Sequence, residues 1–142
     1  MIRVLLALLA LGTIAYAGDP VPSELLGSWV LSDIIGIRLP AECRNIRIEF
    51  TAAGNFISIS GEQKLIVQAS IERQNAAFVL HVEKLVEHNN QPNCQGRPAE
   101  YVASNLVDDV YLERDGPVLR MYVWKKDSRQ FVEFIRPAPG SA

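Results

Sequence analysis

The sequence predicts an all-β fold, an eight-stranded antiparallel up-and-down barrel, and three observations carry that expectation. Apolar and polar residues alternate at period 2 along most of the chain, no amphipathic pattern of three helical turns occurs, and Gly, Asn and Asp clusters separate the alternating runs at hairpin spacing. Eight such runs in a flat meander would leave two long unpaired edges, and closure into a barrel removes them. A β-sandwich is the competing arrangement for this number of strands.

The N-terminus stands apart from that pattern. Met1-Ile2-Arg3 supplies one positive charge, Val4 to Ala17 is an apolar run of the length used by secretory signals, and Ala15-Tyr16-Ala17 is a small-residue cleavage site. The run is shorter than the roughly 20 apolar residues needed to cross a bilayer, and Gly18-Asp19-Pro20 stops it. The expected organisation is a signal peptide at 1–17, a linker at 18–24, a barrel domain at 25–136 and a frayed tail at 137–142. Cys43 and Cys94 both survive cleavage into an oxidising compartment, where one disulfide is expected. Closing a loop of about 50 residues stabilises by about 4 kcal/mol in the chain-entropy model. No Asn-x-Ser/Thr acceptor occurs, which fits a bacterial periplasm better than a glycosylating pathway.

Within the domain, Ser23 to Gly27 reads as one helical turn with a Ser cap and a Gly stop. A first strand is expected from Ser28 to Ile37, ending before Leu39-Pro40. The second, Arg44 to Thr51, places Ile46, Ile48 and Phe50 on one face, and Ala52-Ala53-Gly54-Asn55 turns the chain into a third, Phe56 to Ser60, with Ile57 and Ile59 aligned. Gly61-Glu62 leads to a fourth, Lys64 to Ile71, with Leu65, Val67, Ala69 and Ile71 on one face. A turn near Gln74-Asn75 opens the fifth, Ala77 to Glu87, carrying Phe78, Leu80 and Val82. His88 to Pro98 breaks the rhythm and is expected to be a long loop held through Cys94, followed by a short helical segment at Ala99 to Leu106. Three strands close the meander: Val107 to Glu113, Val118 to Lys125 and Gln130 to Arg136.

Leu25-Leu26-Gly27-Ser28-Trp29 resembles the opening of lipocalin-like (calycin) barrels, whose first strand carries Gly-x-Trp after a short helical turn. Phe50-Thr51-Ala52-Ala53-Gly54 is similar to a hairpin found in small bacterial lipocalin-like domains. The resemblance implies a barrel closed at one end by Trp29, with Gly27 allowing close passage beneath it and Arg136 packing over the indole. It further implies a small exported protein that binds an apolar or amphipathic ligand. The chain lacks a Thr-Asp-Tyr-type second motif and the long C-terminal helix of larger lipocalins.

The residues expected to line an interior site are Trp29, Phe50, Ile57, Phe78, Leu80, Met121 and Phe134, with Leu119, Val123 and Val132 in the same rows. An eight-stranded barrel is either filled by such side chains or holds one small ligand. Unbroken alternation from Trp29 would also aim Leu31, Asp33 and Ile35 inward, making Asp33 a candidate for fixing a headgroup. His81 and Glu83 share a strand face but are too few for a closed zinc site, and His88 lies in a different segment, so no metal or cofactor is expected. Arg120, Tyr122 and Trp124 form an opposite-facing row of the kind that supplies interface hot spots. That row is the basis for an alternative role as an envelope interaction module or an inhibitor of a secreted enzyme. The formal net charge of −2 argues against a nucleic-acid partner, and no nucleophile motif or phosphate loop points to an enzyme. Polar Asn45, Arg47 and Glu49 on one face of the second strand argue against a lipid-embedded barrel.

Overall fold

The period-2 runs become eight strands: β1 (Gly27–Ile35), β2 (Arg47–Phe50), β3 (Asn55–Ser60), β4 (Gln63–Gln74), β5 (Ala77–His88), β6 (Val110–Asp115), β7 (Val118–Tyr122) and β8 (Phe131–Ile135). Each pairs antiparallel with the next, and β8 pairs with β1 to close the barrel. This is a computed structural model, and it describes residues 21–105, 109–122 and 129–139. The expected signal peptide, the first expected residues of the sixth strand, Val123, Trp124 and Lys125 of the seventh, and the end of the tail lie outside the described residues.

Two ends differ in their connections. At the base, short turns join β2 to β3, β4 to β5 and β6 to β7. At the upper end lie the long β1–β2 connection, the described part of the β5–β6 connection and the Gly61-Glu62 turn. Cys43 and Cys94 form a disulfide across a sequence separation of 51, tying the two long connections together. Gly61 is part of that knot. Its φ of 61° favours glycine, and an added Cβ would stand 3.3 Å from the Cys94 backbone. The buried Gln63 side chain donates to the carbonyls of Gln91 and Arg97, which presses the β5–β6 connection onto β4.

Local departures from the expected elements have physical causes. Residues 23–25 form a hydrogen-bonded turn, with Leu25 N–H on the Pro22 carbonyl at 2.9 Å, and the α-helix of the described chain is α1 (Ala99–Asn105). β2 starts at Arg47 because Ala41–Asn45 winds into a 3-10 helix that delivers the fully buried Cys43 to its partner. The expectation that Ile57 and Ile59 face inward is corrected. Phe56 stands opposite Phe50, their ring centroids 5.3 Å apart, so Ser58 and Ser60 take the inward parity and the two isoleucines face outward with Glu49 and Arg47. Thr51 sets that register, donating to the Asn55 carbonyl through its hydroxyl and accepting the Asn55 N–H.

Asp33 is corrected likewise. The β1–β8 register shifts between Leu31 and Asp33, and the extra residue, Ser32, donates its hydroxyl to the Glu133 carbonyl. Past this bulge Asp33 stands opposite outward-facing Glu133, and Ile34 rather than Asp33 shares a side with Val132. The remaining inward rows meet in one apolar cluster running from Trp29, Ile48 and Phe50 through Leu65, Val67, Phe78 and Leu80 to Leu112, Leu119 and Phe134. The outside carries Arg47, Glu49, Lys64, Glu113 and Arg120, the reverse of a lipid-facing apolar band. No helix of the described residues is long and apolar enough to cross a membrane.

Candidate functional site

At the base the chain arrives through the turn at 23–25 and passes under the barrel at Gly27, whose φ is 94°. Trp29 follows with no exposed surface, its indole N–H donating to the Leu25 carbonyl at 2.9 Å. The Arg136 guanidinium carbon stands 3.8 Å from the Trp29 ring centroid, and that of Arg114 stands 4.9 Å from it. Arg136 donates to the carbonyls of Ser28 and Glu24, and Arg114 donates to those of Glu24 and Gly116. A Cβ at position 27 would lie 3.1 Å from Arg136 Nη1, which is the close passage that requires glycine. Burial, followed by the neighbouring charge of Arg114, lowers the pKa of Arg136. Arg73 pairs with Glu24 and stacks on Phe78, completing a cationic collar around the base. Hydrogen bonding involving its own backbone, then Arg73, lowers the Glu24 pKa.

Sequence reasoning did not single out Arg114. Its signal was parity: on a strand whose Leu112 faces inward, the next inward position, just before the Asp115-Gly116-Pro117 turn, is an arginine. A cation among apolar inward rows requires a ring and carbonyls to receive it, and Trp29 with Glu24 supplies both.

Above this floor the residues expected at an interior site separate by depth. Trp29, Phe50, Phe78, Leu80 and Phe134 are each no more than 2% exposed and pack against one another in the cluster. Met121 is half-buried near the upper end of β7, and Ile57 is outside the barrel. Met121 shares the upper end with further half-buried aliphatics packed on the core, among them Leu31, Ile46, Val82, Val110 and Val132. α1 rests against β4 and β5 there, with Ala99 buried and Val102 turned to the same cluster. The arrangement is a filled lower barrel beneath an accessible aliphatic ring. Such a ring can bury an apolar group without opening a cavity in the core.

Arg120 and Tyr122, the described members of the outer row, are engaged internally. Arg120 contacts Asp115 at 2.9 Å, Glu133 at 3.7 Å and Glu113 at 4.0 Å. Tyr122 donates to Glu113 and stacks on Phe131 with ring centroids 5.4 Å apart. Burial, then Glu113, raises the Tyr122 pKa, and the carboxylates around Arg120 outweigh its burial and raise its own. His81 does not join Glu83. Its Nδ1 meets Asp109 at 2.5 Å and its Nε2 meets Glu72 at 3.3 Å. Carboxylates on both ring nitrogens leave no lone pair for an ion, and no metal-binding group of three occurs among the described residues. His88 pairs with Glu100 of α1 at 3.2 Å.

Fold and site together define a class: a closed eight-stranded up-and-down antiparallel barrel, floored by an arginine-clamped tryptophan, with its long connections and a disulfide at the opposite end. Comparison of the chain with protein-family models, curated proteins and solved structures finds no significant match.

Proposed function

We propose that this is an exported, lipocalin-like binding protein that receives a small apolar or amphipathic molecule at the upper end of its barrel. The observation that carries this reading is the aliphatic ring of Leu31, Ile46, Val82, Val110, Met121 and Val132, half-buried above a core that is otherwise closed. Each methylene of a ligand buried against such a ring contributes about 0.8 kcal/mol. A rigid floor is what keeps the ring in place, because the disulfide and the Trp29 clamp fix the two ends of the same strands. The disulfide supports export, since such bridges persist in oxidising compartments, and the apolar N-terminal run supports a periplasmic destination.

Uptake of a neutral hydrophobic dye, Nile red, tests the reading through the blue shift of its emission. The folded protein should shift the dye, and Met121→Arg or Val132→Arg should abolish the shift, whereas Ile57→Arg on the outer wall should leave it unchanged. A wild-type protein that does not shift the dye, or an upper-end variant that shifts it as well as the wild type does, would overturn the proposal.

A further inference from the structure

β1 belongs to two neighbours in succession, pairing with β2 from Gly27 to Val30 and with β8 from Val30 to Ile35. After the Leu31 N–H reaches the Ile46 carbonyl at 2.9 Å the two strands part. β1 bulges towards β8, while the chain before β2 turns into the 3-10 helix held by Cys43. A cleft of about 330 Å³ opens in this split, lined by the aliphatics Val30, Leu31, Ile46 and Ile59 and by Arg44, Asn45 and Arg47. Its volume falls within the range of small-molecule sites, about 300–1,000 Å³.

The two arginines are the telling feature. Arg73, Arg114, Arg120 and Arg136 each have a carbonyl or carboxylate partner inside the fold. Arg44 is exposed and Arg47 half-buried, and neither guanidinium makes an ion pair or hydrogen bond among the described residues. Arg47 is flanked across the strands by Val30 on β1 and Ile59 on β3, so its guanidinium rises from an aliphatic surface. Asp33 lies with Arg44 in an adjoining small groove and accepts the Ile34 N–H at 2.8 Å, and Glu42 is two residues before Arg44 in the 3-10 helix. Glu49 is two residues after Arg47, in the next cross-strand row.

We propose that this split, which borders the upper-end ring at Leu31 and Ile46 and opens onto the outer wall at Val30, Arg47 and Ile59, is a second binding site, for a linear aliphatic carboxylate. The carboxylate accepts from Arg44 and Arg47, whose planar donors match its two oxygens, with the Asn45 amide as a further donor. The chain lies along Val30, Ile46 and Ile59. An aliphatic alcohol of the same length lacks the charge that two unpaired guanidiniums select, and inorganic anions lack the chain that the aliphatic wall covers. Cys43, next to Arg44, makes the site depend on the disulfide through position alone.

Calorimetric titration of the oxidised protein with hexanoate, octanoate and octanol tests the assignment. Octanoate should bind, more tightly than hexanoate by up to about fourfold per added buried methylene, and at least tenfold more tightly than octanol. The double variant Arg44→Gln/Arg47→Gln should lose at least tenfold in octanoate affinity while keeping its thermal transition, and Met121→Arg at the upper end should leave octanoate binding unchanged. Absence of octanoate binding, equal affinity for octanol, or an unaffected double variant would overturn the site. Loss of octanoate in Met121→Arg would overturn it too, by moving the ligand into the barrel mouth. Nile red uptake by Met121→Arg and Val132→Arg reports on the part of the ring that the cleft does not share, so either reading can fail alone.

Discussion

At the residue scale, the base of the barrel shows how one side chain organises its surroundings. Trp29 presents a π face that two guanidiniums share, and both arginines also donate to the same Glu24 carbonyl. Either arginine can therefore partly serve in the other's absence, and each repels the other while both are present. Arg114→Gln and Arg136→Gln are expected to destabilise individually, and the double variant should cost more than their sum by about 0.5–1 kcal/mol. Urea unfolding of the four proteins measures this coupling, and strict additivity would contradict the shared clamp. His81 offers a second residue-scale test, on pH. Burial lowers its pKa, but hydrogen bonds to Asp109 and Glu72 outweigh that and hold it above the ordinary 6.5. A histidine whose pKa is raised on folding stabilises fully below its unfolded value and loses that contribution as pH rises through the folded one. The stability gap between wild type and His81→Gln should thus be widest in mildly acidic buffer and narrow above neutrality. A gap that widens with pH would have the wrong sign for this pairing.

At the element scale, the strands were legible in the sequence because period 2 with turn residues leaves few alternatives, and the inward rows of β4 and β5 follow directly from Leu65, Val67, Phe78 and Leu80. Parity failed where two apolar rows compete. In β3 the sequence offers either Phe56 or the pair Ile57 and Ile59 for the inside, and the choice was made across the hairpin, where Phe50 meets Phe56. In β1 the failure was a bulge. Nothing local to Ser32 announces that its hydroxyl will reach the Glu133 carbonyl, a hundred residues away along the chain. The 3-10 helix before β2 was hidden for a related reason, since Ile46, Ile48 and Phe50 alternate whether or not the chain leading to them is extended. Its anchor, the Cys43–Cys94 bridge, makes a prediction at this scale. Replacing both cysteines with serine should cost about 4 kcal/mol in the chain-entropy model, a fall in melting temperature of roughly 10–20 °C. Calorimetry would show it, and an unchanged transition would mean the loops at the upper end are held without the bridge.

At the scale of the whole molecule, the barrel divides its work along its axis, and β7 crosses the division. Leu119 and Met121 lie two residues apart on the same inward face. Leu119 is fully buried beside Phe134, whereas Met121 is half-buried beside Val132. A large-to-small change in the lower core removes packing that the surrounding rows cannot replace, so Leu119→Ala should destabilise by about 2–5 kcal/mol. Because that site lies in the filled floor, the variant should still take up Nile red with near wild-type affinity at temperatures where it stays folded. Met121→Ala should behave in the opposite way. Its side chain is partly solvated already, so the stability loss should be smaller than at Leu119, while shortening it removes one wall of the aliphatic ring and changes dye affinity by several-fold. Chemical denaturation and dye titration on the two variants give a two-by-two comparison in which stability and binding should move independently. If Leu119→Ala weakens dye binding as much as Met121→Ala while remaining folded, floor and ring form one continuous pocket, and the division of labour along the axis does not hold.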